Sequence, residues 1–455
     1  MAIVSNVVSN SSNIAICKSF EQVIKKHIPQ KRWIGTNNFY GKDTVHRTDH
    51  TTLANVKTHQ LSEYIATSTI LHCYDGWNFV SRGIESILSN DIATAIHMLY
   101  YAELRAVMSF MAYQGVGIFN KKHFWFDSAR HCGIVEQLNS HGNPTHRIST
   151  HQLAAKCLSE IGNLNNRKDI FFDLIRVSNK KLTSWVNASS FTTRSGYSTE
   201  IIKRWLKDWS IDLKLNDDQQ LRNETSYRPQ FSSNYLDIRA SVEKLNLIWQ
   251  AIEPTESSRF NIIDLHLSRI ALERIFSKST GQSPSTAKGK PSFISFIDKI
   301  FDRIGGEVKG QSLYNFFIRN IEPNDHFVLV EARKHLNNNN HLNLGDPFPM
   351  LCRSVLLMRL SSGCVYELID NSTLDKKDLR YWWEDICNNI GISAALDDDI
   401  NPIDLYTDIK EAFDEISQAS GNGSLNSLYS GLSNVSTEFN IVKQFQRACF
   451  WGVGL

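Results

Sequence analysis

Residues 93 to 111 read Ala-Thr-Ala-Ile-His-Met-Leu-Tyr-Tyr-Ala-Glu-Leu-Arg-Ala-Val-Met-Ser-Phe-Met. Ile96, Tyr100, Leu104, Val107, Met108 and Met111 recur at spacings of three and four, the period of one helix face. Such a stripe has to be buried against other helices, so the run predicts a packed helical domain. The period returns in Ile238, Val242, Leu245, Trp249 and Ile252, and again in Ile263, Leu267, Ile270 and Ala271. At residue 401 the start signal is full. Asn401 suits the N-cap, Pro402 the first helical position and Asp404 the first turn, ahead of Leu405, Ile409, Phe413 and Ile416. Strand-like alternation is confined to 118–126 and to Phe327-Val328-Leu329-Val330. The expectation is a mostly α protein.

Size and composition permit several domains: 455 residues, 42% hydrophobic and 21% charged, an ordinary globular balance. The division expected is an N-terminal extension over 1–60, a helical bundle over 61–279, a second helical domain over 292–418, and a Ser/Gly/Asn-rich segment with an aromatic tail over 419–455. Residues 277–292, rich in Gly, Pro, Ser and Lys, read as an interdomain linker or a long loop. The tail residues Phe445, Phe450, Trp451, Val453 and Leu455 are apolar enough to dock on the body or on a partner. The longest nearly apolar run, 106–119, falls short of the roughly 20 residues a membrane span requires, so no membrane is expected. The first 20 residues carry no charged start of the signal-peptide type. Eight cysteines without a CxxC pair imply reduced thiols and a cytoplasmic location.

Net charge is only +2, but its distribution is uneven. Residues 176–207 hold seven basic groups (Arg176, Lys180, Lys181, Arg194, Lys203, Arg204 and Lys207) against one acid, Glu200. Residues 367–415 hold fourteen acids against four bases. This asymmetry suits an anionic ligand on the first region, or docking of the two regions on each other or on a second copy. Trp185, Phe191, Tyr197 and Trp205 interleave with the basic residues, the composition of a groove for single-stranded nucleic acid. The plain alternative is that Trp205 and Trp209 form an apolar helix stripe with Lys203, Arg204 and Lys207 on its solvated face.

The polar stretch that stands out is Arg222-Asn223-Glu224-Thr225-Ser226-Tyr227-Arg228-Pro229. Together with Tyr100-Tyr101 in an Ala-rich helix, it resembles the HEPN superfamily over roughly residues 60–275. Members are small four-helix bundles with a Tyr-Tyr helix and a later signature of Arg, a polar residue, and His or Tyr a few places on. The resemblance implies a metal-independent ribonuclease or an RNA-associated component of a prokaryotic toxin or defence system. It needs no cofactor and acts on single-stranded RNA. Carried over, Arg222 holds the scissile phosphate, Asn223 orients it and Tyr227 takes the third place. Glu103 and Arg105 are expected to line the site from the tyrosine helix, and Lys203, Arg204 and Lys207 to bind substrate.

Tyr227 departs from the best-characterised nucleases, which have His there. An ordinary tyrosine titrates near ~10 and a histidine near ~6.5, leaving a tyrosine in that role about 4 kcal/mol to make up. The signature therefore favours binding over cleavage. A reading from another class stands beside it: a non-catalytic scaffold, a homodimer or partner-binding subunit of a multi-protein complex. In that case Arg222 and Asn223 cap or bridge helices and Tyr227 packs.

Other patterns are weaker. His46 and His50, four apart with Asp49 between, match a metal pair without a third ligand, and no metal is expected. His141, His146 and His151 recur every five residues, which scatters them around a helix. Arg319-Asn320 with His326 repeats the signature's spacing, but Pro323 and Asn324 intervene. Arg353 and Arg359 in an apolar helix are expected to snorkel or to pair with the acidic segment. Phosphate-loop, dinucleotide and GxSxG motifs are missing.

Overall fold

The computed structural model describes residues 2–138, 144–145, 148–163, 168–189, 201, 205, 211–227, 236–256, 258–305, 312–334, 346–392, 401–421 and 435–452. These residues are mostly helical, with three small antiparallel β elements. The organising unit is a hairpin of a long helix, Thr58–Leu88, and the tyrosine helix, Ile92–Tyr113. The chain turns between them at Asn90, whose φ of 58° is the left-handed region that asparagine tolerates. Asp91 then caps the tyrosine helix by accepting from the Thr94 amide at 3.0 Å. Gly83 lets the two helices close, because a Cβ there would lie 2.7 Å from Leu99 Cδ2.

A central helix, Phe348–Asp370, packs on both arms of the hairpin. Trp77 Nε1 donates to Ser362 Oγ at 3.0 Å, and Ser354 Oγ donates to the Leu99 carbonyl at 3.1 Å. Among the described residues it is the one helix long and apolar enough to cross a bilayer, and its apolar window is wholly buried in the protein. Arg353 and Arg359 do not snorkel and do not reach the acidic segment. Enclosed on all sides, each pairs with a core acid: Arg353 with Asp218 at 2.8 Å and Arg359 with Asp264 at 2.7 Å. The histidine helix, Thr150–Asn163, and the arginine helix, Ile211–Tyr227, pack on the tyrosine helix and on each other. The tyrosine helix is therefore the shared wall of the bundle.

Among the described residues, one hydrophobic cluster runs from Val4 to Trp451. The helix Asn13–Lys26 buries Ile16, Phe20 and Val23, so part of the supposed extension belongs to the core. Residues 277–292 hold the loop between two helices and their adjoining ends. The helix Asn261–Thr280 stops at Gly281 (φ 70°), and Gly289–Ile304 follows. Phe276 packs on Phe293 and Phe296 across that loop, at 5.3 and 5.6 Å. Lys and Ser content marked the exposed turn, while the apolar residues on both sides carried the packing. The tail docks on the body: Trp451 is fully buried, 5.6 Å from Trp249.

Of the two strand-like stretches, 118–126 contributes only Phe124–Phe126, paired between Val116–Gly117 and Cys132–Ile134. Phe327–Ala332 is a helix, because a short apolar run fits either state and His326 supplies a cap, accepting from the Val328 amide. The basic and acidic regions meet where Arg176 and Lys181 pair with Glu367 at 2.6 and 2.7 Å. Trp185 and Trp205 are buried, Trp185 stacked on Phe317 and Trp205 edge-on to Phe172, so neither is a stacking platform. Phe191, Tyr197, Lys203, Arg204 and Lys207 lie outside the described residues.

Candidate functional site

The rotational setting of the arginine helix is decided in the core. Arg353 grips both oxygens of Asp218, at 2.9 and 2.8 Å, and Glu103 Oε1 stands 3.6 Å from Arg353 Nε. Burial first, and the Asp218 carboxylate second, hold the Glu103 carboxyl well above the usual carboxylate range. One arginine thus faces two core acids. Residues four apart share a helix face, so fixing Asp218 also fixes Arg222 and Ser226.

Arg222 arrives beside the paired tyrosines. Its Nη2 donates to Tyr101 Oη at 3.1 Å and its Nη1 to Asn223 Oδ1 at 2.9 Å. The guanidinium stands 5.2 Å from the Tyr101 ring centre and 5.4 Å from that of Tyr100. Among the described residues no carboxylate lies within ion-pair range of it, and its Nε is buried without a hydrogen-bond partner. Ser226 Oγ lies 2.9 Å from His97 Nδ1, and Tyr100 Oη lies 2.5 Å from His151 Nδ1. The His151 ring stacks on Tyr100 at 5.5 Å, and His97 packs 5.1 Å from Tyr101.

Burial first, and the nearby Arg222 charge second, lower the pKa of both His97 and His151 below the ordinary imidazole value. Burial pushes the Tyr100 hydroxyl up, so it keeps its proton beside His151 Nδ1. Beside these groups opens a cleft of about 350 Å³, lined by Tyr101, His151, Arg105, His72, Tyr64 and Phe119 among others. Arg105 Nη1 donates to His72 Nδ1 at 3.0 Å, and its Nε lies 3.7 Å from Asp75. Arg222 is not part of that wall and meets it through Tyr101.

The structure therefore brings Arg222, Asn223, Tyr100, Tyr101 and Arg105 to one place. Tyr227 is elsewhere: it is 84% exposed, at the end of the arginine helix. Five residues along a helix is about 140° around it, whereas four is about 40°, so Ser226 shares the Arg222 face and Tyr227 does not. Glu103 belongs to the buried Arg353 cluster, not to the cleft. The repeated signature is closed off, since Glu273 and Asp325 hold Arg319 at 2.5 and 3.1 Å. His46 and His50 lie on the helix Thr44–His50 with ring centres 4.4 Å apart, and no metal-holding cluster occurs among the described residues.

Sequence reasoning missed His97, read His72 beside Cys73 as a lone buried pair, and set His151 aside. The signal available was His97, Tyr101 and Arg105, a ladder of four-residue steps on one helix face. Nothing local marks His151, which reaches Tyr100 only through folding. Set against protein-family models, curated proteins and solved structures, the chain matches none.

Proposed function

We propose that this centre engages single-stranded RNA and cleaves it without a metal, as a HEPN-like component of a toxin- or defence-type system. One observation carries the reading: a guanidinium with no acid partner among the described residues, set against two tyrosines, with two histidines of lowered pKa beside it. Such a cation suits a phosphate, which arginine recognises through two parallel donors. In the reaction proposed, one histidine takes the proton of the 2′-hydroxyl as its oxygen bonds to phosphorus. The bond to the 5′-oxygen breaks, and the other histidine protonates that leaving oxygen. The products are a 2′,3′-cyclic phosphate and a 5′-hydroxyl, and Arg222 stabilises the charge that builds on the phosphorane oxygens.

The test is incubation with 5′-labelled single-stranded RNA in excess EDTA, with the ends identified chemically. Arg222→Ala should slow cleavage by about 10²–10³-fold and leave the melting temperature within a few degrees. A collapse of stability in Arg222→Ala would make the residue structural. Absence of both cleavage and salt-dependent binding would leave the scaffold reading. What favours that second reading is that Trp185, Trp205, Arg176 and Lys181 are spent inside the fold, while Tyr227 stands open on the surface. Light scattering on the purified chain, with and without Tyr227→Ser, tests it as a contact between copies.

A further inference from the structure

The cleft beside the two histidines has a composition of its own. Tyr64 and Phe119, with ring centres 6.0 Å apart, form an aromatic wall, continued by the apolar Leu104, Met108 and Ile118. Tyr101 and His151 join it to the Arg222 centre. Its other polar lining groups are Thr44, His72, Arg105, Asn120 and Thr150. Arg105 is held at one end only. Its Nη1 donates to His72 and its Nε faces Asp75 at 3.7 Å, while no described group takes Nη2. Because arginine only donates, His72 Nδ1 accepts, so His72 is a neutral imidazole; burial lowers its pKa accordingly. Its orienting bond costs Arg105 no charge.

The floor is built before any ligand arrives. Asn120 Nδ2 and the Lys121 amide both donate to Asp49 at 3.2 Å, which ties the loop bearing Phe119 to the helix Thr44–His50. Thr150 Oγ1 donates to the Phe119 carbonyl, which ties the same loop to the start of the histidine helix. A preformed pocket with an aromatic side, a guanidinium and about 350 Å³ of room fits a planar heterocycle joined to an anion, that is, one nucleotide.

We infer that this cleft is a one-nucleotide subsite: it takes an unpaired base against Tyr64 and Phe119 and the adjoining phosphate on Arg105. The inference rests on the reading of Arg222 as the holder of the scissile phosphate, one step along the strand, and it makes the preferred RNA one whose flanking nucleotide is unstacked. Aromatic contact of this kind tolerates any base, so the subsite selects strand state rather than sequence.

Two measurements on the full chain test it separately from the nuclease reading. In the first, the four nucleoside 5′-monophosphates and their parent nucleosides are titrated calorimetrically in EDTA. Monophosphates should bind, and nucleosides should bind at least tenfold more weakly. Arg105→Met, which keeps the apolar stem, should lose at least tenfold, and Arg105→Lys should recover part of that. Tyr64→Leu should weaken monophosphates and nucleosides alike. In the second, single-stranded RNA is compared with its fully paired duplex, and the single strand should be cut at least tenfold faster. No binding at millimolar monophosphate, or binding unchanged in folded Arg105→Met and Tyr64→Leu, overturns the subsite even if RNA is cleaved. Binding that depends on Arg105 and Tyr64 without RNA cleavage upholds a nucleotide site and sinks the nuclease reading instead.

Discussion

Arg222 has no carboxylate partner among the described residues, and its charge adds to burial in holding the neighbouring imidazoles neutral. Both titrate below the ordinary ~6.5 because burial and the Arg222 charge disfavour the imidazolium. A histidine acting as base must be neutral and one acting as acid must be protonated, so cleavage should follow a bell-shaped profile with its maximum below ~6.5. In Arg222→Gln the whole bell should move to higher pH, read from a pH–rate profile of whatever activity remains. His123 shows the same sign in stability. It is fully buried, accepts from the Phe119 amide and donates to the Ile148 carbonyl, and burial lowers its pKa to about 4. The unfolded chain binds its proton below ~6.5 while the folded chain waits until about 4. Stability should therefore fall across that interval, by roughly 3 kcal/mol. Urea titrations at pH 7 and pH 5 should show the drop, and His123→Gln should reduce it. In the sequence His123 is simply one of fifteen histidines; only its enclosure distinguishes it.

Among the elements, the arginine helix depends most on a single contact. Its exposed length is polar, and the Arg353–Asp218 pair holds its rotation, with Glu103 alongside, its pKa raised by burial. Breaking one partner of a buried pair costs about 3–5 kcal/mol, so Asp218→Ala should destabilise by that amount and release Arg222 from the tyrosines. The double replacement Arg353→Met with Asp218→Leu should restore much of the stability, measured by denaturant midpoint. Gly83 sets the hairpin spacing. Gly83→Ala gains helix propensity but drives a methyl into Leu99, and overpacking should win, with a net loss of roughly 1–2 kcal/mol. The tyrosine helix was legible from its stripe, and the Arg-Asn pair from its polarity in a basic neighbourhood. The register of Tyr227 was not, because spacing along a signature does not say which residues are helical, and helical geometry puts a fifth residue on another face.

For the whole molecule, the tail closes the core. Phe445, Phe450 and Trp451 are buried with Trp249, and Ser81 joins the segment by accepting from the Gln446 amide at 2.7 Å. Trp451→Ala should cost roughly 3–5 kcal/mol. Trp451→Phe should cost clearly less, since it keeps one aromatic ring and removes an indole N–H that is buried without a partner among the described residues. Thermal melting of the two variants side by side gives the comparison.

The helical class, the tyrosine helix and the Arg222-Asn223 pair follow from the sequence alone, because periodicity and local polarity are properties of neighbours along the chain. Tertiary structure decided the rest: the single core, the arginines neutralised inside it, and His97, His151 and His72 gathered at the cleft. Those depend on which segments meet in space. No pattern within one helix encodes a contact such as Tyr100 with His151, whose partners lie 51 residues apart.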